Sequence, residues 1–253
     1  VPMFRAAEVQ PWEHNEQIVE PYAVPGSGQT LYMAMEEQAE IGLRVSHLGE
    51  LIFFSTLTGD LLKTIQAPLP TDTSVTSFAL ASENSHTFAL GLSNGQALAF
   101  KHEYKSTYPG GKRVILPSIT YPLGEDPIDV APVPLDQLAF SSDEGNFALI
   151  GGTQENMQAV FIAQTENLFT GEVELAQTTT ALPDLGIKIK KMLMMPDLAW
   201  LFVAAENGKM AVVNLRDHDE PVISQVLDAS SSKITTFDLL LGGNAILIGN
   251  EKG

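Results

Sequence analysis

The sequence predicts an all-β chain, β-propeller-like, with about four and a half blades. The prediction rests on short alternating apolar runs, the lack of a sustained helical stripe, and a repeat of about 45 residues. The runs "GELIFFSTLTGD", "HTFALGLSNGQALAFKH", "QAVFIAQ" and "GKMAVVNLRD" are rich in β-branched and aromatic residues and are bounded by turn residues. The best helical candidate, "MAMEEQAEIGLRV", reads equally as a strand, a polar turn at Glu36 to Glu40, and a second strand.

The repeat emerges when one turn is aligned along the chain: "SHLGELIFF", "SNGQALAF", "TQENMQAVFI", "ENGKMAVV" and a final "NEKG". Gly49, Gly95, Gly208 and Gly253 hold equivalent places, with Met157 in the third copy, at spacings of 46, 62, 51 and 45 residues. The Asn-Gly pairs at 94–95 and 207–208 supply the positive φ that a tight hairpin needs. Blades are accordingly expected at residues 28–70, 71–117, 134–183 and 185–228, with a partial one at 229–253, after a lead-in over 1–27. No Trp-Asp or Gly-His signature marks the blades, so a β-sandwich stays open as the alternative. An incomplete propeller leaves strand edges and an apolar flank exposed, and self-association through that open edge is expected.

The 253 residues are 44% hydrophobic and 18% charged, enough apolar content for a core. With no cysteine, disulfides and thiolate metal sites are excluded. The longest apolar runs, such as "LAWLFVAA", are far shorter than the roughly 20 residues that span a bilayer. A start at Val1 and an end at "ILIGNEKG" suggest part of a longer protein. Thirty-one acidic against fourteen basic residues, a formal charge of −17, argue against nucleic acid and against an anionic membrane surface. Solubility accounts for such acidity.

A search for chemistry returns no catalytic or metal constellation, and no cofactor is expected. His14, His47, His86, His102 and His218 show no metal-ligand spacing, and no Gly-x-Ser-x-Gly elbow is present. "GSGQTL" has Leu31 where a dinucleotide fingerprint needs its third glycine, and "GGKR" at Gly110 lacks the first glycine of a phosphate loop. The acidic turns "SSDEGN" and "RDHDEP" lack the alternating ligands of a calcium loop. "KIKK", Lys188 to Lys191, reads as a strand with one charged face.

One stretch departs from the acidic background. Lys101, Lys105, Lys112 and Arg113 fall within thirteen residues, among the prolines, glycines and tyrosines of "YKSTYPGGKRVILPSITYPLG". It falls where the repeat spacing swells, and reads as an insertion between the second and third blades.

"GLSNGQALAFKHEYKSTYPGGKRVILPSITYPLGEDPI" resembles the extracytoplasmic insertion of a large subfamily of PstC-type phosphate ABC transporter permeases. There a similar His-x-Tyr-Lys-x-Thr-Tyr-Pro run is followed by Pro-x-Ile-x-Tyr-Pro and Gly. "YMAMEEQAEIGLRVSHLGELIFF" is similar to the segment that opens that insertion, and "VPMFRAAEV" to the residues after the first membrane helix. The likeness is strongest over residues 28 to 124 and weakens after about Pro183.

The resemblance implies a non-enzymatic, soluble periplasmic domain of an inner-membrane permease subunit, with the membrane helices outside this chain. The implied partners are a second permease subunit, a cytoplasmic ATPase and a periplasmic phosphate-binding protein. A −17 domain repels phosphate, so docking or regulation is expected rather than a phosphate site. Lys101, Lys105, Lys112 and Arg113 are the candidate partner contacts. The other readings are a free-standing envelope scaffold propeller and a propeller with an enzyme or ligand site in its central channel.

Overall fold

The computed structural model describes residues 23–36, 40–81, 86–143, 145–167, 169–240 and 245–252. The first sheet is built from β1 (Thr30–Glu36), β2 (Ile41–Ser46), β3 (Glu50–Ser55) and β4 (Leu61–Gln66). The second holds β5 (Val75–Leu80), β6 (Thr87–Leu92), β7 (Gln96–Thr107), β8 (Val114–Thr120) and the short β9 (Ile128–Asp129). The third is β10 (Gln137–Asp143), β11 (Asn146–Thr153), β12 (Asn156–Glu166) and β13 (Val173–Ala181). The fourth is β14 (Ile189–Met194), β15 (Trp200–Ala205), β16 (Lys209–Asn214) and β17 (Val222–Asp228). A pair, β18 (Ile234–Leu240) and β19 (Ala245–Asn250), follows.

All the pairings are antiparallel; the first, third and fourth sheets are four-stranded meanders of sequence neighbours, the second is such a meander with β9 added against β7, and the last is the β18–β19 pair. Among the described residues each sheet is filled by consecutive strands before the next begins, unlike the Greek-key connections between the two sheets of a sandwich. The first strands of successive sheets, β5, β10, β14 and β18, lie against one another. That is the arrangement of propeller blades around an axis. In the "MAMEEQAEIGLRV" segment β1 ends at Glu36 and pairs antiparallel with β2 from Ile41, while residues 37–39, within the expected turn, lie outside the described residues.

The second and third strands of the second and third blades are buried on both faces because a neighbouring blade packs on each side. Leu43, Val45, Leu51 and Phe53 of the first blade meet Phe88, Leu90, Leu98 and Phe100 of the second. The other face of the second blade is Ala89, Ala97 and Ala99, which receives Phe140, Leu149, Val160 and Ile162 of the third. Ile150, Ala159 and Phe161 then pack on Leu201, Val203, Ala211 and Val213, and Ala204 and Met210 on Ile234 and Phe237. Each fully buried Phe or Leu contributes roughly 1.5–3 kcal/mol, and small residues opposite large ones let the blades approach. Fourth strands face solvent, so β4, β13 and β17 are mostly exposed.

Blades are joined by a recurring hydrogen bond. In the first four blades the first residue after the last strand donates its N–H to a carbonyl at the junction of strands two and three, in the turn itself or, in the third blade, just past it. Ala67 donates to Gly49 at 2.9 Å, Val130 to Gly95 at 3.1 Å, Leu182 to Met157 at 3.0 Å and Ala229 to Gly208 at 3.0 Å. The equivalence of Gly49, Gly95, Met157 and Gly208 is therefore physical; Gly253 lies outside the described residues.

The first blade's free flank is not bare. Buried Arg44 reaches Thr30 Oγ1 at 2.8 Å and the carbonyls of Pro25, Ser27 and Gly28 at 3.1, 3.0 and 2.7 Å, which pins residues 25–28 to that flank. At the other end, β19 pairs only with β18 among the described residues.

Gly95 has φ +86, and a Cβ there would strike the carbonyl oxygen of Ala131 in the crossover; Gly111 has φ +81 with open space around it. Gly95→Ala is expected to destabilise by about 2 kcal/mol or more, and Gly111→Ala by only about 1 kcal/mol, in urea unfolding. Equal losses at the two positions would mean that the crossover does not press on the turn.

Candidate interaction surface

The basic stretch is not an insertion between blades; it is the outer hairpin of the second blade. β7 runs twelve residues where β3 and β16 run six. Its partner β6 ends at the Thr87–Lys101 pair, so the outer half of β7 pairs with β8 alone, from Lys101↔Thr120 to Thr107↔Val114. The chain then returns, and β9 pairs with Gln96 and Ala97 at the base of β7. The blade's fourth strand is thus split into β8 and β9, which accounts for the swollen repeat spacing.

Alternation gives the hairpin two faces. His102, Tyr104, Ile115 and Ile119 face inward and pack against the core shared by the first two blades. Lys63 of β4 donates to the Pro117 carbonyl at 3.2 Å and ties the first blade to the hairpin. Lys101, Glu103 and Lys105 share the outward face with their pairing partners Thr120, Ser118 and Leu116. The hairpin closes over Pro109–Gly111, where Gly110 and Gly111 take φ of 63° and 81°.

The four predicted cations do not form one patch. Lys101 pairs with Glu103 at 3.0 Å, and Lys105 stands further along the same exposed face. Lys112 is exposed at the tip, whereas Arg113 turns its Nε to Ser106 Oγ at 3.4 Å. Elsewhere, Lys188 pairs with Glu206 at 2.9 Å, and that bond holds the Glu206 carboxyl below its ordinary range. Lys191 reaches the Phe237 carbonyl at 2.9 Å. In "RDHDEP", Arg216 lies over Trp200 at 5.2 Å and His218 stacks on Phe161 at 3.9 Å.

An aromatic ladder under the hairpin seals the first two blades. Tyr32 stacks on Phe78 at 4.2 Å, Phe78 on Phe88 at 5.4 Å, and Phe88 on Phe100 at 5.3 Å. His102 continues it, stacked on His86 at 4.4 Å and beside Tyr104 at 5.5 Å. It is only 7% exposed and its Nδ1 has no hydrogen-bond partner. Burial, and then the neighbouring His86, push its pKa down to about 4. Tyr104 is pushed up to about 12 by burial and by Glu36 and Tyr32. Among the described residues no group of three or more His, Asp or Glu could hold a metal ion.

Sequence reasoning missed a second feature, the turn joining strands three and four in the first and third blades. "STLTGD" (Ser55 to Asp60) and "NLFTGE" (Asn167 to Glu172) carry one pattern and one hydrogen-bond set. The first residue's side chain accepts the N–H groups of Leu57 and Thr58 in one turn, and of Phe169 and Thr170 in the other. The Thr hydroxyl donates to the final carboxylate, at 2.7 Å for Asp60 and 3.2 Å for Glu172. Gly59 and Gly171 close each turn on the first carbonyl with φ of 77° and 70°. The shared Thr-Gly-acid triplet was the signal available in the sequence.

No protein-family model and no curated protein matches this chain. Among solved structures it is similar to the β-propeller domain of Cps50 (Swd1) from Myceliophteria thermophila. The TM-score is 0.53 at 13% identity, over 90% of this chain and 64% of that one. The chain thus spans about two thirds of that domain's length. Together with the serial meanders, the likeness establishes the class: this is a β-propeller. No helix among the described residues is long and apolar enough to cross a membrane.

The folded pKa of His102 lies below the unfolded value of about 6.5, so protons favour the unfolded chain. Its contribution is intact above that value and is lost as pH falls toward 4. Urea unfolding at pH 7 and pH 5 should show about 2 kcal/mol more loss for the wild type than for His102→Phe, which continues the ladder without titrating. Equal pH dependence in the two proteins would show that His102 is not buried uncharged.

Proposed function

We propose that the chain is a non-enzymatic docking domain, held in the periplasm, of an inner-membrane PstC-type phosphate ABC transporter permease. One observation supports this reading most: the most distinctive part of the stretch that carries the resemblance, "HEYKSTYPGGKRVILPSIT", builds the outer hairpin of the second blade. Residues that served only to connect blades would not need the hairpin's length, its packed inner face or its tight tip. The outward face instead offers Lys105 and Lys112 beside exposed Val114 and Leu116, a mixture of charge and apolar surface typical of protein contacts.

The partners in this reading are the second permease subunit, the cytoplasmic ATPase and the periplasmic phosphate-binding protein; the hairpin meets one exposed on the periplasmic side. The domain acts by docking and not by holding phosphate, since a charge of −17 disfavours a free anion. A local basic tip on an acidic body steers a partner carrying a matching acidic patch.

In cells that depend on the transporter, Lys112→Glu with Arg113→Glu is expected to lower phosphate uptake several-fold and reduce co-purification of the other subunits. Both changes sit at an exposed tip, so stability should move by no more than about 0.5 kcal/mol. Unchanged uptake and assembly would contradict the docking role. A complete gene without membrane spans on either side of these residues would contradict the transporter reading itself.

A further inference from the structure

In the shared hexapeptide turn the side chain of the third residue takes no part in the turn's hydrogen bonds. The first residue, the Thr, the Gly and the acid all serve the turn, whereas the third residue lends only its N–H. Turn positions of this kind are ordinarily polar. Here the third residue is Leu57, 67% exposed, in the first blade and Phe169, 99% exposed, in the third. Between them, the second blade closes its own turn differently, on Pro109–Gly111, yet presents Tyr108 at 65% exposure.

Topology puts the three side chains on one arc. The blades are consecutive, and in each the turn between strands three and four lies at the end opposite the turn between strands two and three. Rigid turns that hold large apolar side chains in water do nothing for folding; in interfaces such side chains act as anchors.

We propose that Leu57, Tyr108 and Phe169 form a docking rim whose occupant is a soluble partner protein. Its face would offer apolar hollows, with carboxylates beside the one that receives Tyr108. Charge selects this occupant: Lys112 and Arg113 sit just past Tyr108, while Asp60 and Glu172 lie within three residues of the other two anchors. An anionic bilayer would be repelled by those carboxylates and by the net charge of −17, and a second copy would bring −17 against −17. Residues 25–28, pinned by Arg44 near the Ser46–Gly49 turn, and Glu251 with Lys252 lie at the other end of the propeller. The choice of partner rests on the transporter reading, in which the rim meets the soluble phosphate-binding subunit.

The test titrates the purified phosphate-binding subunit onto the full-length chain and onto its Leu57→Ser/Phe169→Ser variant. Every residue whose side chain serves either turn is kept, and matching thermal melts check that the fold survives. The variant is expected to bind at least about tenfold more weakly, whereas Leu57→Met/Phe169→Tyr stays within about threefold of wild type. Equal affinity of wild type and the serine variant overturns the rim and leaves the transporter reading standing. A wild type that does not bind overturns the transporter reading and the partner chosen with it. Cosedimentation of wild type, but not the variant, with phosphatidylcholine vesicles would overturn a protein occupant in favour of lipid. Loss of a concentration-dependent dimer in the variant would overturn it in favour of a second copy.

Discussion

One hydrogen bond, made four times, holds this propeller in register: the first N–H beyond each of the first four blades reaches back to a carbonyl at the junction of its second and third strands. It ends the outer strand, points the chain inward, and places the next blade's first strand beside the last one's. Where the crossover runs close over the turn, a side chain there is barred. At Gly95 and Gly208 a Cβ would meet the crossover carbonyls of Ala131 and Ser230. In the third blade the turn is a tight Thr153–Asn156 closure and the acceptor has moved to Met157, so the bond survives without the glycine. The bond is what repeats; the residue type only follows from how near the crossover passes.

With one end of every blade tied down in this way, the opposite end is free to vary. The first and third blades use the same rigid hexapeptide turn there, and the second grows a hairpin whose base is closed by β9. That hairpin is not a loose appendage. Its inner face joins the aromatic ladder between the first two blades and buries His102 at the cost of keeping an imidazole uncharged and Nδ1 unpaired. The packing fixes the outer face, and with it the positions of Lys105, Lys112 and Tyr108.

The blades were legible in the sequence because tight turns and doubly buried strands both leave local marks. "SNGQALAF" and "ENGKMAVV" show a positive-φ glycine followed by an unbroken apolar run, and each is a turn followed by a strand sandwiched between blades. The role of "YKSTYPGGKRVILPSITYPLG" was not legible. Whether β8 pairs with β7 or bridges to the next blade is decided by Ile115, Ile119 and Lys63 packing across the first blade, contacts far apart in sequence. For the same reason Lys101, Lys105, Lys112 and Arg113 read as one basic cluster, although pairing sends Lys105 and Arg113 to different sides. Leu57 was hidden in plain view, because at the end of "GELIFFSTLTGD" an apolar residue reads as the tail of a strand.

In the function proposed here, one end of the blades is tied down and builds the propeller, and the opposite end docks. Hydrogen exchange of the full-length chain, alone and within its assembled complex, tests this most directly. The amides of Ala67, Val130, Leu182 and Ala229 are expected to be protected in both states. Those of Thr56 to Gly59, and of Ser106 to Arg113 apart from Pro109, are already hydrogen-bonded within their turns in part and should become more protected on assembly. Protection gained instead at the Ser46–Gly49 and Ala205–Gly208 turns, with the opposite rim unchanged, would contradict it.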